Sequence, residues 1–321
     1  MEQMETNDKQ VKYSGLPMLP PWAELTIDAA VASRMLKASR HLAHLDGLVS
    51  MLPDRDLVIE AIVFKEAAAS CAIDGLRETS PAVDKYREVL LRESREVLGG
   101  KRFTEEDIRA VSSELGAGHL GPDITYLVRF LDNDSGFPKD PIFRMALIQY
   151  QFEAMQLRHG REGRVGRLFS MLHLIQGGLL GQPCLCLSAF YLRETDVYSE
   201  VLKTVRTSRN WRQWVAHMLD GISGASEYTI SFIRRIQALK DKMETVIREN
   251  DLQTDRLDIA KLFKIPSINP RELMSGSIKS VNTAKKYLGQ LENLGLLSKT
   301  KVGKKYVWVN TGLMDILADG S

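Results

Sequence analysis

Glycines and arginines are concentrated in one central segment of the chain, residues 151–168 (QFEAMQLRHGREGRVGRL). The apolar spacing predicts that this segment joins the end of one helix to the start of another. Free backbone N–H groups at a helix start, the macrodipole and nearby guanidinium groups together form an anion site. The segment therefore predicts phosphate binding by Gly163, Arg164, Gly166 and Arg167. The alternative is that Arg164 and Arg167 pair with acidic residues on a neighbouring helix.

A second group of residues with binding chemistry lies near the C-terminus. Residues 279–305 contain seven lysines and one glutamate, although the net charge of the whole chain is only +2. Lysines that point outward from a helix and a hairpin suit the phosphates of duplex DNA. The alternatives are a surface for a protein partner and an ordinary solvated face. The candidate DNA-binding residues are Asn282, Lys285, Lys286, Lys304 and Lys305.

Helices must position both groups, because almost nothing before residue 290 alternates like a strand. Thr104 and Asp107 form a near capping box for one of these helices. Apolar periodicity predicts helices over residues 25–52, 54–70, 81–97, 108–115, 140–157, from about 164, 188–205, 210–219 and 226–250.

The last part of the chain has a different pattern. Short helices are predicted over 257–263 and 271–274, and a longer helix over 281–294. The run LLSKTKVGKKYVWVN then alternates around Val302-Gly303, as two strands joined by a tight turn do. Three helices followed by a basic hairpin is the order of a winged helix-turn-helix. The sequence therefore predicts a mainly α fold, a helical bundle with a C-terminal winged helix-turn-helix domain.

Composition excludes several classes of protein. Apolar residues make up 44% and charged residues 26% of the 321, which is typical of a globular chain. The apolar run 168–180 is interrupted by polar residues and falls short of the roughly 20 that a membrane span requires. The polar N-terminus predicts no export signal. The three cysteines, without a nearby histidine cluster, favour buried thiols over a disulfide or a metal site, and hence a cytoplasmic location.

The central segment resembles the motif of the Fic family, H-P-F-x-[D/E]-G-N-G-R-x-G-R, preceded by a sequence close to Q-F-E-A-I. The chain keeps residues 151–154 (QFEA) and then Gly163, Arg164, Gly166 and Arg167, with no insertion between them.

The resemblance extends well beyond the motif. YSGLPMLPPW and the helices after it are similar to the Fic N-terminal region, and residues 187–206 with Trp211 and Trp214 are similar to the segment after the core. Ser70, Asp74 and Gly75 resemble the family's inhibitory S-x-x-x-E-[G/N] motif. In the family the glutamate there pairs with the second arginine of the motif. A pair between Asp74 and Arg167 and simple helix-end solvation are both open.

Members of this family mostly transfer AMP from ATP to a hydroxyl of another protein, and the chain departs from their motif at three chemical positions. Gln156 stands where the family has the histidine that takes the proton, and a glutamine amide cannot act as a general base. Gly160 replaces the carboxylate that holds magnesium, so no metal ligand is expected there. Glu162 replaces the amide that would face a phosphate. His159 is an alternative base by spacing, although an exposed loop histidine is favoured.

A further departure concerns the flap, the hairpin with which family members dock the backbone of their target. Residues 116–129 (GAGHLGPDITYLVR) show no alternating hairpin pattern, so the flap is expected to be absent.

These departures predict a catalytically inactive Fic-family protein that acts by binding DNA or a protein partner, with no membrane association. A homodimer is compatible with this reading. The alternative is a divergent protein adenylyltransferase that uses ATP and Mg²⁺ at the retained anion-binding loop. Four regions are predicted: a Fic-type N-terminal helical region (1–105), a Fic-like core (106–220), a connecting helix (221–250) and the winged helix-turn-helix (251–321).

Overall fold

Helices form most of the regular structure, as the periodicity predicts. The computed structural model describes residues 26–117, 123–132, 140–159, 162–250, 252, 259–264, 266–274, 278–303 and 305–318. The first ten helices are α1 (Ala29–Ser50), α2 (Arg55–Ile73), α3 (Pro81–Leu98), α4 (Glu105–Glu114), α5 (Asp123–Asp132), α6 (Pro141–His159), α7 (Glu162–Gln176), α8 (Leu187–Arg193), α9 (Thr195–Ser208) and α10 (Trp211–Glu249). The C-terminal elements are α11 (Lys261–Lys264), β1 (Ser267–Ile268), α12 (Pro270–Leu273), α13 (Val281–Asn293), β2 (Ser298–Val302), β3 (Lys305–Val309) and α14 (Thr311–Ala318).

Several helices begin where a side chain satisfies their free N–H groups. The Asp28 carboxylate accepts from the backbone N–H of Val31 at the start of α1. At the start of α4, the predicted capping box is complete. The Thr104 hydroxyl accepts from the Asp107 N–H at 3.2 Å, and the Asp107 carboxylate accepts from the Thr104 N–H at 2.9 Å. Reciprocal caps of this kind define the start of a helix from local sequence alone.

The core is built around α6 and α7, which pack against each other over most of their length. Gly166 on α7 makes this approach possible. A Cβ at Gly166 would lie 2.5 Å from the Cβ of Phe152 on α6. Around this pair, α2 packs against α3 and α8, and α1 packs along α10.

The long helix α10 corrects the sequence reading, which predicted separate helices over 210–219 and 226–250. A single helix of 39 residues replaces them, so the boundary drawn at residue 220 lies inside α10. The small residues between the two predicted segments allow close packing and do not interrupt the helix. A Cβ at Gly224 would lie 2.4 Å from the Phe190 ring. The hydroxyl of Ser226 donates to the Ile222 carbonyl at 2.8 Å, which keeps its polar group inside the helix.

The opposite correction applies to residues 188–205, which were predicted as one helix. The structure has α8 and α9 with Glu194 between them, at φ −113° and ψ 27°. The Thr195 hydroxyl donates to the carbonyls of Leu192 and Tyr191 at 2.8 and 3.2 Å. Such side chain to backbone bonds compete with a continuous helical ladder, which accounts for the break.

The C-terminal residues form a small antiparallel sheet of strand order β1-β3-β2. Strands β2 and β3 pair from Ser298 opposite Val309 to Val302 opposite Lys305, around a turn in which Gly303 has φ +60°. The alternating pattern predicts these two strands but not the short β1, which adds to β3 through Ser267 and Ile268. The helix predicted over 257–263 appears as α11, and residues 253–258 lie outside the described residues.

The segment expected to lack a flap is described only in part. Its residues from 123 onward belong to α5, and residues 118–122 lie outside the described residues. Within the described part of the chain, no helix is both long and apolar enough to cross a membrane.

Candidate functional site

The two arginines predicted to bind phosphate lie on α7, and only 2% of each side chain is exposed. Arg167 reaches the C-terminal end of α2. Its Nε donates to the Ser70 hydroxyl at 2.8 Å, and its Nη2 donates to the Ser70 carbonyl at 2.9 Å. The same Nη2 donates to Oδ1 of Asp74 at 2.7 Å. Arg167 is therefore bound to one helix end through three contacts.

Asp74 also contacts Arg164, the first arginine of the motif. Its Oδ2 lies 2.7 Å from Nε of Arg164, as an ion pair without hydrogen-bond alignment. Only 4% of the Asp74 side chain is exposed. One buried carboxylate is thus shared by two buried guanidinium groups. This is the pairing with an acidic residue of a neighbouring helix that stood as the alternative to phosphate binding.

The end of α2 explains how Asp74 reaches both arginines. Asp74 is the C-cap residue, and Gly75 follows it with φ +75°. The Gly75 N–H donates to the Ala72 carbonyl at 2.9 Å, and the Leu76 N–H donates to the Cys71 carbonyl at 3.0 Å. These two bonds form a Schellman motif, in which glycine adopts the left-handed backbone conformation. An acid at a helix C-terminus opposes the macrodipole, and the two arginines offset that repulsion.

A polar network extends the site along α6. Glu153 Oε1 lies 3.7 Å from Nη1 of Arg167 and accepts hydrogen bonds from Gln149 at 2.8 Å and the Tyr198 hydroxyl at 2.9 Å. Gln149 in turn accepts from the Ser170 hydroxyl at 3.0 Å. Burial raises the pKa of Glu153, while the Arg167 charge acts in the opposite direction. The motif identifies Glu153 in the sequence but not its partners, because these come from three different helices.

Glu66, one helical turn before Ser70 on α2, is a second buried acid that the sequence reading missed. It accepts from the Ser188 N–H at 2.8 Å and from the Ser188 hydroxyl. Burial raises the pKa of Glu66 to about 7, although the Ser188 hydrogen bonds favour its ionised form. The sequence signal for this buried acid is its position on the apolar side of α2, because a carboxylate buried there requires a hydrogen-bond partner.

A cavity of about 420 Å³ opens beside Glu153 and Arg167. Lys203 and Arg206 of α9 add two cations to its lining, and Thr195 and Ser199 add hydroxyl groups. This set of groups suits a small polar or anionic molecule. The remaining lining residues are Ile73, Tyr191, Tyr198 and Leu202.

One glycine of the predicted phosphate site, Gly166, serves helix packing. Gly163 is buried in the first turn of α7. Gly166 faces α6, where a Cβ would also lie 3.3 Å from Oε1 of Gln149. Close packing between α6 and α7 is therefore sufficient to explain the glycine at position 166, and no ligand is needed to explain it.

The three positions that depart from the family motif lie where α6 meets α7. Gln156 is in the last turn of α6 and Glu162 is the first residue of α7, and the side chains of both lie outside the described residues. Gly160 also lies outside them. In the part of the chain that the structure describes, no group of three or more His, Cys, Asp or Glu side chains is arranged to hold a metal ion.

The predicted DNA-binding residues lie on α13 and on the β2–β3 hairpin. Asn282, Lys285 and Lys286 are exposed, whereas Ala284, Leu288 and Leu291 of the same helix are buried. Lys305 at the start of β3 is also exposed, and Lys304 lies outside the described residues. The described members of this group are thus all exposed, outside the buried core of the C-terminal region.

Comparison with known proteins gives two findings. Residues 32–106 match the model of the Fic/DOC family N-terminal region. The structure is similar to that of a Fic family protein from Desulfovibrio desulfuricans G20, with a TM-score of 0.52 and 15% sequence identity. That similarity covers 89% of this chain and 97% of the other.

The fold is therefore a helical Fic-like fold over most of the chain. The N-terminal part of this fold, residues 32–106, is also the part that matches the Fic/DOC family N-terminal region.

Proposed function

We propose that this Fic-fold protein has no nucleotide-transfer activity and acts by binding duplex DNA through a C-terminal winged helix-turn-helix. The observation that carries the proposal is the exposed face of α13, with Asn282, Lys285 and Lys286, beside a basic hairpin.

The position of α13 supports DNA contact. It follows the short helix α12, and its apolar side packs into the core of the C-terminal region, as a recognition helix does. Among the described residues, neither Lys285 nor Lys286 has an ion-pair partner. Lysines that no carboxylate neutralises can release condensed counterions from DNA, which drives association.

The site on α7 supports the absence of transfer activity. The two guanidinium groups that would hold a polyphosphate are bound to Asp74, and both are buried. By the motif resemblance, Gln156 supplies no general base and Gly160 supplies no metal ligand. With both guanidinium groups bound to Asp74 in this structure, neither Arg164 nor Arg167 is free to hold the phosphates of ATP with Mg²⁺.

Transfer activity is tested by incubating the purified chain with labelled ATP, magnesium or manganese, and a cell lysate. We expect no labelled protein above the background without the chain. Labelling that requires the chain and is lost in Arg164→Ala would overturn this part of the proposal and favour the divergent adenylyltransferase.

DNA binding is tested by fluorescence anisotropy of a labelled duplex titrated with the full chain at several salt concentrations. We expect binding that weakens as salt rises, and a further loss in the double variant Lys285→Ala/Lys286→Ala. The matched control is Lys37→Ala/Lys242→Ala, which removes two exposed lysines from α1 and α10. No binding by the wild-type chain at low salt, or equal losses in the two variants, would contradict the proposal.

A further inference from the structure

A groove of about 940 Å³ lies between α12 and α13 on one side and the β2–β3 hairpin on the other. Cationic side chains from all of these elements converge on it, whereas Asn282 and Lys286 do not line it. The groove therefore divides the exposed residues of α13 into two sets. The charged residues that line it are Arg271, Lys285, Lys299, Lys305, Glu272 and Glu292.

The two acids of the groove are engaged by neighbouring donors. Glu272 accepts from the backbone N–H of Asn269 at 2.7 Å in the capping box of α12. Glu292 accepts from Nε1 of Trp308 at 2.9 Å. Neither forms an ion pair with a groove cation among the described residues. The groove therefore presents more positive charge than its acids neutralise.

Lys299 is held against the groove wall by two aromatic rings. Its Nζ lies 4.8 Å from the centre of the Tyr306 ring and 5.3 Å from that of Trp308. Cation–π contacts of this kind restrict a lysine that would otherwise extend freely into solvent. Tyr306 is 53% exposed and continues the same wall. A lysine held in place beside an exposed aromatic ring suits a nucleic-acid strand, which carries both phosphates and sugars.

We propose that the groove binds the sugar–phosphate backbone of one DNA strand, with Arg271, Lys285, Lys299 and Lys305 as its phosphate contacts. The inference rests on the proposed DNA binding and deepens it. A groove with cations on both walls fits a linear polyanion, and a strand of regularly spaced negative charges complements its sign. Asn282 and Lys286 lie outside the groove, which leaves these two side chains to contact base edges.

The test measures how the dissociation constant for a labelled duplex varies with salt, for the wild-type chain and for single variants. Each of Lys285→Ala, Lys299→Ala and Lys305→Ala should reduce the magnitude of the slope of log Kd against log salt by about 1. Each should also weaken binding to all sequences alike. Lys299→Arg keeps the charge and should retain the wild-type slope. Lys37→Ala, on α1, should match the wild type in every respect.

Three results would overturn the inference. If the wild-type chain binds duplex and the groove variants keep its salt slope, the strand does not lie in the groove, although the proposed function stands. If the wild-type chain binds no duplex at all, the proposed function fails and the inference fails with it. If polyglutamate binds with the same sensitivity to the lysine variants while duplex does not, the groove is a site for acidic peptides.

Discussion

At the scale of single residues, the notable group is the Asp74 carboxylate between Arg164 and Arg167. All three side chains are almost completely buried. Charges in such a position lose their hydration, and only their mutual attraction and hydrogen bonds compensate for that loss. Glu153 adds a second acid, whose Oε1 lies 3.7 Å from Nη1 of Arg167, so two acids and two arginines are buried close together. Removing one member should leave the others without adequate partners.

Replacing Asp74 tests this expectation. Asp74→Ala leaves two buried guanidinium groups without their shared carboxylate, and we expect the free energy of unfolding to fall by about 3–5 kcal/mol. Urea denaturation followed by circular dichroism measures the loss. Glu78→Ala is the control, because it removes an exposed acid four residues further along the chain. A loss no larger than that of the control would mean that the arginines have other adequate partners.

At the scale of secondary-structure elements, the contact between α6 and α7 determines where the arginines point. Gly166 allows α7 to approach Phe152 of α6, whose ring also stacks on that of Phe169 at a centroid distance of 5.8 Å. Arg164 and Arg167, one turn apart on α7, then face the end of α2 together. A wider separation of α6 and α7 would move both guanidinium groups relative to Asp74.

A methyl group at Gly166 should force that separation. Gly166→Ala would place a Cβ 2.5 Å from the Phe152 Cβ, which lies too near the backbone to move freely. We expect a loss of about 1–3 kcal/mol in unfolding free energy, as for other overpacked cores.

The control is Gly47→Ala in α1, where an added Cβ meets nothing within 4 Å. There the same change should stabilise the helix by about 0.5–1 kcal/mol. Thermal denaturation of both variants therefore should give shifts of opposite sign. A rise in the melting temperature of Gly166→Ala would show that helix propensity, and not packing, dominates at Gly166.

At the scale of the whole molecule, the C-terminal region is docked on the helical bundle. Helix α14 packs against α10, where a Cβ at Gly312 would lie 2.8 Å from the Leu239 side chain. The buried Lys65 of α2 donates to the Leu317 carbonyl at 2.5 Å and satisfies the end of α14. Helix α2 thus contacts the C-terminal region through Lys65 and holds the arginines through Asp74. The two regions should therefore unfold together.

Cooperative unfolding is tested by Leu313→Ala. Leu313 is completely buried in α14, and truncating a buried leucine destabilises a protein by about 2–5 kcal/mol. We expect one melting transition that moves as a whole to lower temperature in scanning calorimetry. Met314→Ala, at the more exposed neighbouring position, should change the transition little. Two separate transitions, with the larger one unmoved, would show that the regions unfold independently.

Local patterns in the sequence determined much of this structure. The mainly helical fold, the capping box at Thr104 and the two strands around Gly303 follow from periodicity and turn chemistry. The motif resemblance also located the residues of the arginine group, because Ser70, Asp74, Arg164 and Arg167 were all singled out. These signals are readable because each depends on residues close together in the chain.

Tertiary structure decided what those residues contact. Nothing in the local sequence distinguishes an arginine that binds phosphate from one that binds Asp74, since the choice depends on how closely α7 approaches the end of α2. The continuity of α10 depended in the same way on Phe190 packing against Gly224, and the groove depended on the hairpin lying beside α13. Burial, shared partners and concave surfaces arise between distant segments, so only the folded chain specifies them.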